Sequence, residues 1–171
     1  EYACYPVISL DFSGAARRGA AIADVVRDAL SGECVRLLAL LEAPDLARDK
    51  VRHIERVARG AASEDEVASV LGVLIELLEM ACDEQVVLLV DGYDAAWLGR
   101  ASARGASGAD PAGLFDRVLF DAIAAARDSL RLTCLMGECP GPADAALSSR
   151  GCSYCLTSNT TCSSQAISSS S

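Results

Sequence analysis

The residues best placed to do chemistry lie in Val86-Val87-Leu88-Leu89-Val90-Asp91-Gly92-Tyr93-Asp94. Five apolar residues running into an acid put a carboxylate at the carboxyl end of a buried strand, which is where open α/β sheets hold their ligands. An acid at that place can carry Mg²⁺ beside a bound phosphate group. Asp91 is therefore the candidate metal ligand. The plainer reading of the pattern is an aspartate that turns the chain after a strand.

Other chemistry-bearing residues point less sharply. His53 is the one histidine; it sits in the charged segment Asp49-Lys50-Val51-Arg52-His53-Ile54-Glu55-Arg56 and reads as a solvated helix residue. Set in that charged segment, it gives no ground to argue a Ser-His-Asp arrangement. Cys139, Cys152, Cys155 and Cys162 follow a Cys-x12-Cys-x2-Cys-x6-Cys spacing. The Cys152-x2-Cys155 pair suits tetrahedral zinc, but its Ser-rich setting offers no apolar shell, so zinc is the minor reading. Glu64-Asp65-Glu66 is accounted for by the dipole at a helix start. Arg17-Arg18 can meet an anion, and as two adjacent surface cations they read more simply as solvated.

Composition narrows the function classes. The 171 residues carry 24 Asp+Glu against 15 Lys+Arg, a formal charge of −9. Phosphate contacts to nucleic acid need clustered cations, so a nucleic acid is not the expected partner. No apolar run approaches the roughly 20 residues of a membrane span. Eight cysteines in a chain with an ample core pattern and no secretory signal read as reduced thiols, and Cys4, Cys34, Cys82 and Cys134, in or beside apolar segments, as small hydrophobes. The expected setting is intracellular and cytoplasmic. The chain opens on an apparent strand with no leading Met, and so reads as a piece of a longer protein.

The elements that must position Asp91 follow from periodicity. Pro6-Val7-Ile8-Ser9-Leu10-Asp11-Phe12 reads as a strand buried on both faces, closed by Ser13-Gly14. Ile22, Val25, Val26, Ala29 and Leu30 recur at helical spacing, and Val35 to Leu41 renews the pattern after Gly32. Pro44 is expected to open a further helix, with Val51, Ile54, Val57 and Ala58 as its stripe and Gly60 as its stop. Ser63 and Glu66 form a capping-box signature ahead of Val67, Val70, Leu71, Leu74, Leu77, Leu78 and Ala81. Residues 99–113 are rich in Ala, Gly and Ser and read as a loop. Asp110-Pro111 restarts a helix, and Leu130-Arg131-Leu132-Thr133-Cys134-Leu135-Met136 is the third strand. Residues 148–171 are expected to form a disordered Ser- and Cys-rich tail, and residues 1–147 the domain.

Taken together, Tyr5 to Ser13 (YPVISLDFS), the Ser63 helix, Val86 to Asp94 and Leu130 to Gly137 resemble the AAA-ATPase-like domain family, P-loop ATPases often fused to a nuclease-like domain of the PD-(D/E)XK type. In that family a strand reading roughly "PVI-LDFS" follows the phosphate-loop helix. A strand ending "DEYD" and another ending "TG" come later in the same order. The resemblance implies ATP and Mg²⁺ as cofactors, with Asp91 as the metal-side acid and, with Asp94, the last acid of the motif, as the cofactor-binding residues. The departures are specific. No Gly-x-x-x-x-Gly-Lys-Ser/Thr is present and would have to lie upstream of Glu1. The Glu that would polarise the attacking water is Gly92, and the "TG" is Met136-Gly137. No catalytic residue is therefore assigned, and whether the chain is an enzyme is left open.

The expected fold is α/β, a partial P-loop NTPase-like parallel sheet with helices on both faces. The expected strand order is Leu130 to Met136, then Val86 to Val90, then Val7 to Phe12, with the missing phosphate-loop strand beyond the first. The implied function is a degenerate or partial P-loop ATPase domain, with hydrolysis weak or lost. The alternative is a non-catalytic interaction or regulatory domain that keeps the fold. The bare outer edge of the strand Leu130 to Met136 would then take up a second copy or the upstream segment.

Overall fold

The structure, a computed structural model, describes residues 4–13, 22–93, 111–137 and 155–158. Four parallel strands form one sheet in the order β1 (Val7–Asp11), β2 (Val86–Asp91), β3 (Leu130–Gly137) and β4 (Cys155–Ser158). Ile8 pairs with Leu88 and Leu10 with Val90, while Leu88 and Val90 pair in turn with Thr133 and Leu135. The expected order of the three longer strands is therefore the observed one. Between Val86 and Val87 the register to β3 jumps by a residue, from Leu130 to Leu132, leaving Arg131 as the extra residue of a bulge.

The helices are α1 (Ile22–Leu37), α2 (Arg48–Ala58), α3 (Glu64–Cys82), α4 (Pro111–Asp116) and α5 (Ala122–Ala125). A π turn over Arg117–Asp121 joins the last two. Helix α1 runs unbroken through Gly32, which sits in open space. Pro44 does not open α2. It lies in a turn whose Leu46 N–H donates to the Ala43 carbonyl at 3.4 Å, and the helix starts only at Arg48. The turn buries Leu46, so packing moved the start by one helical turn. Helix α2 ends at the expected Gly60, whose φ of +67° is natural to glycine. Gly60 N–H donates to Val57 O and Ala61 N–H to Arg56 O, the paired bonds of a Schellman end.

The capping box of α3 is present in full. Glu66 N–H donates to Ser63 Oγ at 3.3 Å, and Ser63 N–H donates back to Glu66 Oε2 at 2.9 Å. That backbone bond, with Arg56 alongside, holds the Glu66 carboxyl below its ordinary titration range. His53 is not simply solvated. It is half-buried, and its Nε2 lies 2.8 Å from the Glu66 carbonyl, tying α2 to the first turn of α3. A carbonyl can only accept, so Nε2 carries the proton. From α3, Val67, Val70, Leu71, Leu74, Ile75, Leu77 and Leu78 face the core.

The core is one cluster on one side of the sheet. Ile8, Leu10, Phe12, Val86, Leu88, Val90 and Leu135 point into it, together with the inner faces of α1, α2, α3 and the helical stretch after Pro111. The alternate residues face the other way: Val7 is 37% exposed and Leu132 46%. Among the described residues the helices therefore lie on one face, and the expectation of helices on both is not met there. The strand order supplies the reason. Parallel crossovers are right-handed almost without exception. With strands laid down consecutively in one direction, each right-handed crossover falls on the same face. Covering both faces requires a reversal of strand order, which β1-β2-β3-β4 lacks.

Part of the expected tail, Cys155–Ser158, lies among the described residues. Cys155–Ser158 forms β4, paired through Cys134↔Cys155 to Gly137↔Ser158, so the outer side of β3 is occupied along its carboxyl half rather than bare. The remainder of the expected tail lies outside the described residues. No helix among the described residues is long and apolar enough to cross a membrane.

Candidate active site at the carboxyl ends of the strands

The strands deliver their last residues to one level. Asp11 pairs with Asp91, and Asp91 with Met136. Neighbouring strands are about 4.8 Å apart, so the two carboxylates stand side by side, both exposed, at the carboxyl edge of the sheet. The ladder continues one step beyond them: Phe12 N–H donates to Asp91 O at 2.8 Å, and Tyr93 N–H to Met136 O at 3.3 Å. Asp11 Oδ1 accepts from both the N–H of Ser13 (2.8 Å) and its hydroxyl (2.6 Å), which folds the chain back over the end of β1.

Beneath this turn lies an aromatic stack. The Phe12 ring meets Phe115 edge-on at 5.1 Å, and Phe115 meets Phe120 in the same way at 6.1 Å. The three buried rings hold the end of β1 at a fixed height over the helix that begins at Pro111. Phe12 is thus the link between the core and the loop that carries Ser13.

Gly92 is the closest approach in the site. Its φ is +67°, and a Cβ built on it would lie 2.5 Å from Ser13 N, 2.7 Å from Ser13 Cα and 2.9 Å from the Phe12 carbonyl carbon. All three are backbone atoms, which cannot swing aside. By the resemblance, Gly92 stands where a glutamate would be. The structure adds a positive requirement: the β1 loop leans on β2 at a point where only glycine fits.

Of the two residues expected to bind a cofactor, Asp91 stands at the predicted strand end, and Asp94 lies outside the described residues. Arg17, Arg18, Cys139, Cys152 and Cys162 also lie outside them, and Cys155 is the first residue of β4. Asp11 and Ser13 were not singled out from the sequence, although the signal that marks Asp91, an apolar strand running into an acid, marks Asp11 equally. Cys34 is buried, and burial pushes its thiol up to about 12, so it takes no part in thiolate chemistry.

The donor set can be tested against the implied cation. Two carboxylates and a hydroxyl offer oxygen only, which suits Mg²⁺ and not zinc. Among the described residues no third acid, histidine or cysteine joins them. Mg²⁺ is commonly held by one or two carboxylates, with phosphate oxygens and water completing its octahedron. Asp11 and Asp91 fit that part. Met136, in register with Asp91, brings a thioether where the resembled family has a threonine hydroxyl. Comparisons of the chain with protein-family models, with curated proteins and with solved structures give no match.

Proposed function

We propose that the chain is a degenerate or partial P-loop ATPase domain, one that binds ATP and Mg²⁺ only when a phosphate loop from an upstream segment completes it. The observation that carries this reading is the Asp11–Asp91 pair in register at the carboxyl ends of adjacent parallel strands. Asp91 serves as the metal-side acid, and Asp94 as the second cofactor-binding acid. The upstream strand takes the outer side of β3, where β4 now pairs, and β4 gives way to it. An intracellular, cytoplasmic setting goes with this reading.

Hydrolysis is weak or lost on the same reading. Phosphoryl transfer rests on positioning and charge stabilisation, with a residue to orient the attacking water. Position 92 has neither the side chain for that task nor the room for one. The isolated chain is therefore expected to release no phosphate from ATP above background in a steady-state assay. Turnover that disappears in Asp91→Ala would overturn this.

The alternative, a non-catalytic interaction or regulatory domain that keeps the fold, is favoured by one observation. The sheet face opposite the core exposes Val7 and Leu132 and half-exposes Val87, Leu89 and Met136. On that alternative no nucleotide binds even to a longer chain, and substitutions on the open face, not at Asp91, impair the protein.

A further inference from the structure

Among the described residues, the outer edge of β1 is met by two side chains where a strand would otherwise lie. In a parallel ladder, successive residues present their N–H and C=O to opposite sides. Phe12 donates to Asp91 O, and Val87 donates to Pro6 O, so the even-numbered residues of β1 face β2. Val7 and Ser9 therefore face outward. Ser9 N–H donates to Glu33 Oε1 at 2.6 Å, and the Val7 carbonyl accepts from Arg36 Nη2 at 2.6 Å. Glu33 and Arg36 are joined to each other through Nε to Oε2 at 2.8 Å and Nη2 to Oε1 at 2.6 Å.

These are the groups that one residue of an added parallel strand would use. Its N–H would donate to the carbonyl of Val7, and its carbonyl would accept from the N–H of Ser9. Arg36 supplies the donor and Glu33 the acceptor, one turn apart on α1. The geometry points to a strand surrogate: the Glu33–Arg36 pair stands in for one residue of a neighbouring strand and keeps the β1 strand of a second copy from pairing there.

The burial of Glu33 supports this role. It is 6% exposed, beside Val26, Leu30, Cys34 and Leu37 on the buried stripe of α1. A carboxylate in such a place is costly unless its oxygens are bonded, and an apolar residue would pack there without that cost. What an apolar residue cannot do is occupy the outward N–H of Ser9. An unpaired edge carrying Val7, Ile8 and Leu10 is a template for another chain. The same bonds act on Arg36: the hydrogen bond to Glu33 raises the guanidinium further above its ordinary range.

The test is the self-association of the full 171-residue chain, measured by sedimentation velocity over a concentration series. Arg36→Met keeps the stem and removes the donor; Glu33→Leu keeps the bulk and removes the acceptor. The double variant is expected to associate roughly tenfold to a hundredfold more tightly than the unmodified chain, the equivalent of a charge-assisted hydrogen bond. Adding Ser9→Pro removes an outward N–H at no cost to the ladder with β2, and is expected to abolish the increase. Glu33→Gln retains an acceptor and is expected to stay near the unmodified chain. A folded double variant that associates no more than the unmodified chain overturns the inference, as does an increase that Ser9→Pro leaves intact. Amide exchange in the unmodified chain gives a test independent of any variant. Ser9 N–H is expected to be protected, and exchange at the rate of an unstructured amide overturns the inference.

Discussion

Gly92→Glu, the substitution that would restore the glutamate of the resembled motif, is expected to destabilise the chain by about 3 kcal/mol or more and to yield no ATP turnover. Two costs combine. A non-glycine residue in the left-handed region costs about 1–2 kcal/mol. The new Cβ would also lie 2.5–2.9 Å from the Phe12 and Ser13 backbone, so one strand end must move. Moving it strains the Phe12 N–H to Asp91 O bond and the two bonds from Ser13 to Asp11. Gly92→Ala should carry most of the loss, because the clash begins at Cβ. Urea denaturation of both variants, with phosphate release measured alongside, checks this. A Gly92→Ala chain within about 0.5 kcal/mol of the unmodified one, the range of ordinary surface substitutions, would mean that the loops do not meet as described.

Phe115→Ala should cost about 3–5 kcal/mol, as buried Phe-to-Ala changes do. Phe115 is fully buried between Phe12 and Phe120 and touches both edge-on. Removing its ring leaves a cavity directly beneath the residue that carries the Ser13 turn. The effect should therefore spread to the site: the Ser13 amide, bonded to Asp11, should exchange faster in the variant at matched global stability. A denaturation midpoint little changed from the unmodified chain would show that the ring is not central to this packing.

Much of the positioning frame was legible in the residues. Ser63 and Glu66 mark the start of α3 because a capping box is local chemistry, complete within four residues. The strand ending at Asp91 is marked by five apolar residues and an acid, and the strand order matches the expected one. One-sided burial was harder to see. Val86-Val87-Leu88-Leu89-Val90 reads as a strand covered on both faces, yet Val87 and Leu89 lie on the open side and only half-buried. Apolarity at those positions does not say whether anything packs over them. Cys155–Ser158 gave no warning because a four-residue strand in a Ser-rich run owes its pairing to β3 and not to its own pattern.

The site was legible in its residue types and illegible in its contacts. Asp91 stands where an acid after an apolar strand should stand, and the same rule applied to Asp11 would have supplied its neighbour. That position 92 lacks a side chain is plain in the sequence. That it can have none depends on where the end of β1 lies, and no local pattern encodes an approach between residues 12 and 92. Glu33 is similar: one acid in a helical stripe reads as an exposed interruption until Ser9 N–H is found against it.

The central claim is that Asp91 is the metal-side acid of a nucleotide site completed from upstream. Its most direct test is calorimetric titration of Mg²⁺·ATP into a longer chain carrying a Gly-x-x-x-x-Gly-Lys-Ser/Thr loop ahead of Glu1, compared with its Asp91→Asn variant. The account predicts saturable binding that weakens at least roughly tenfold in the variant, since loss of even an outer-shell partner costs a metal site 10- to 100-fold. Binding of equal strength in both proteins, or no binding to the longer chain at all, would contradict it.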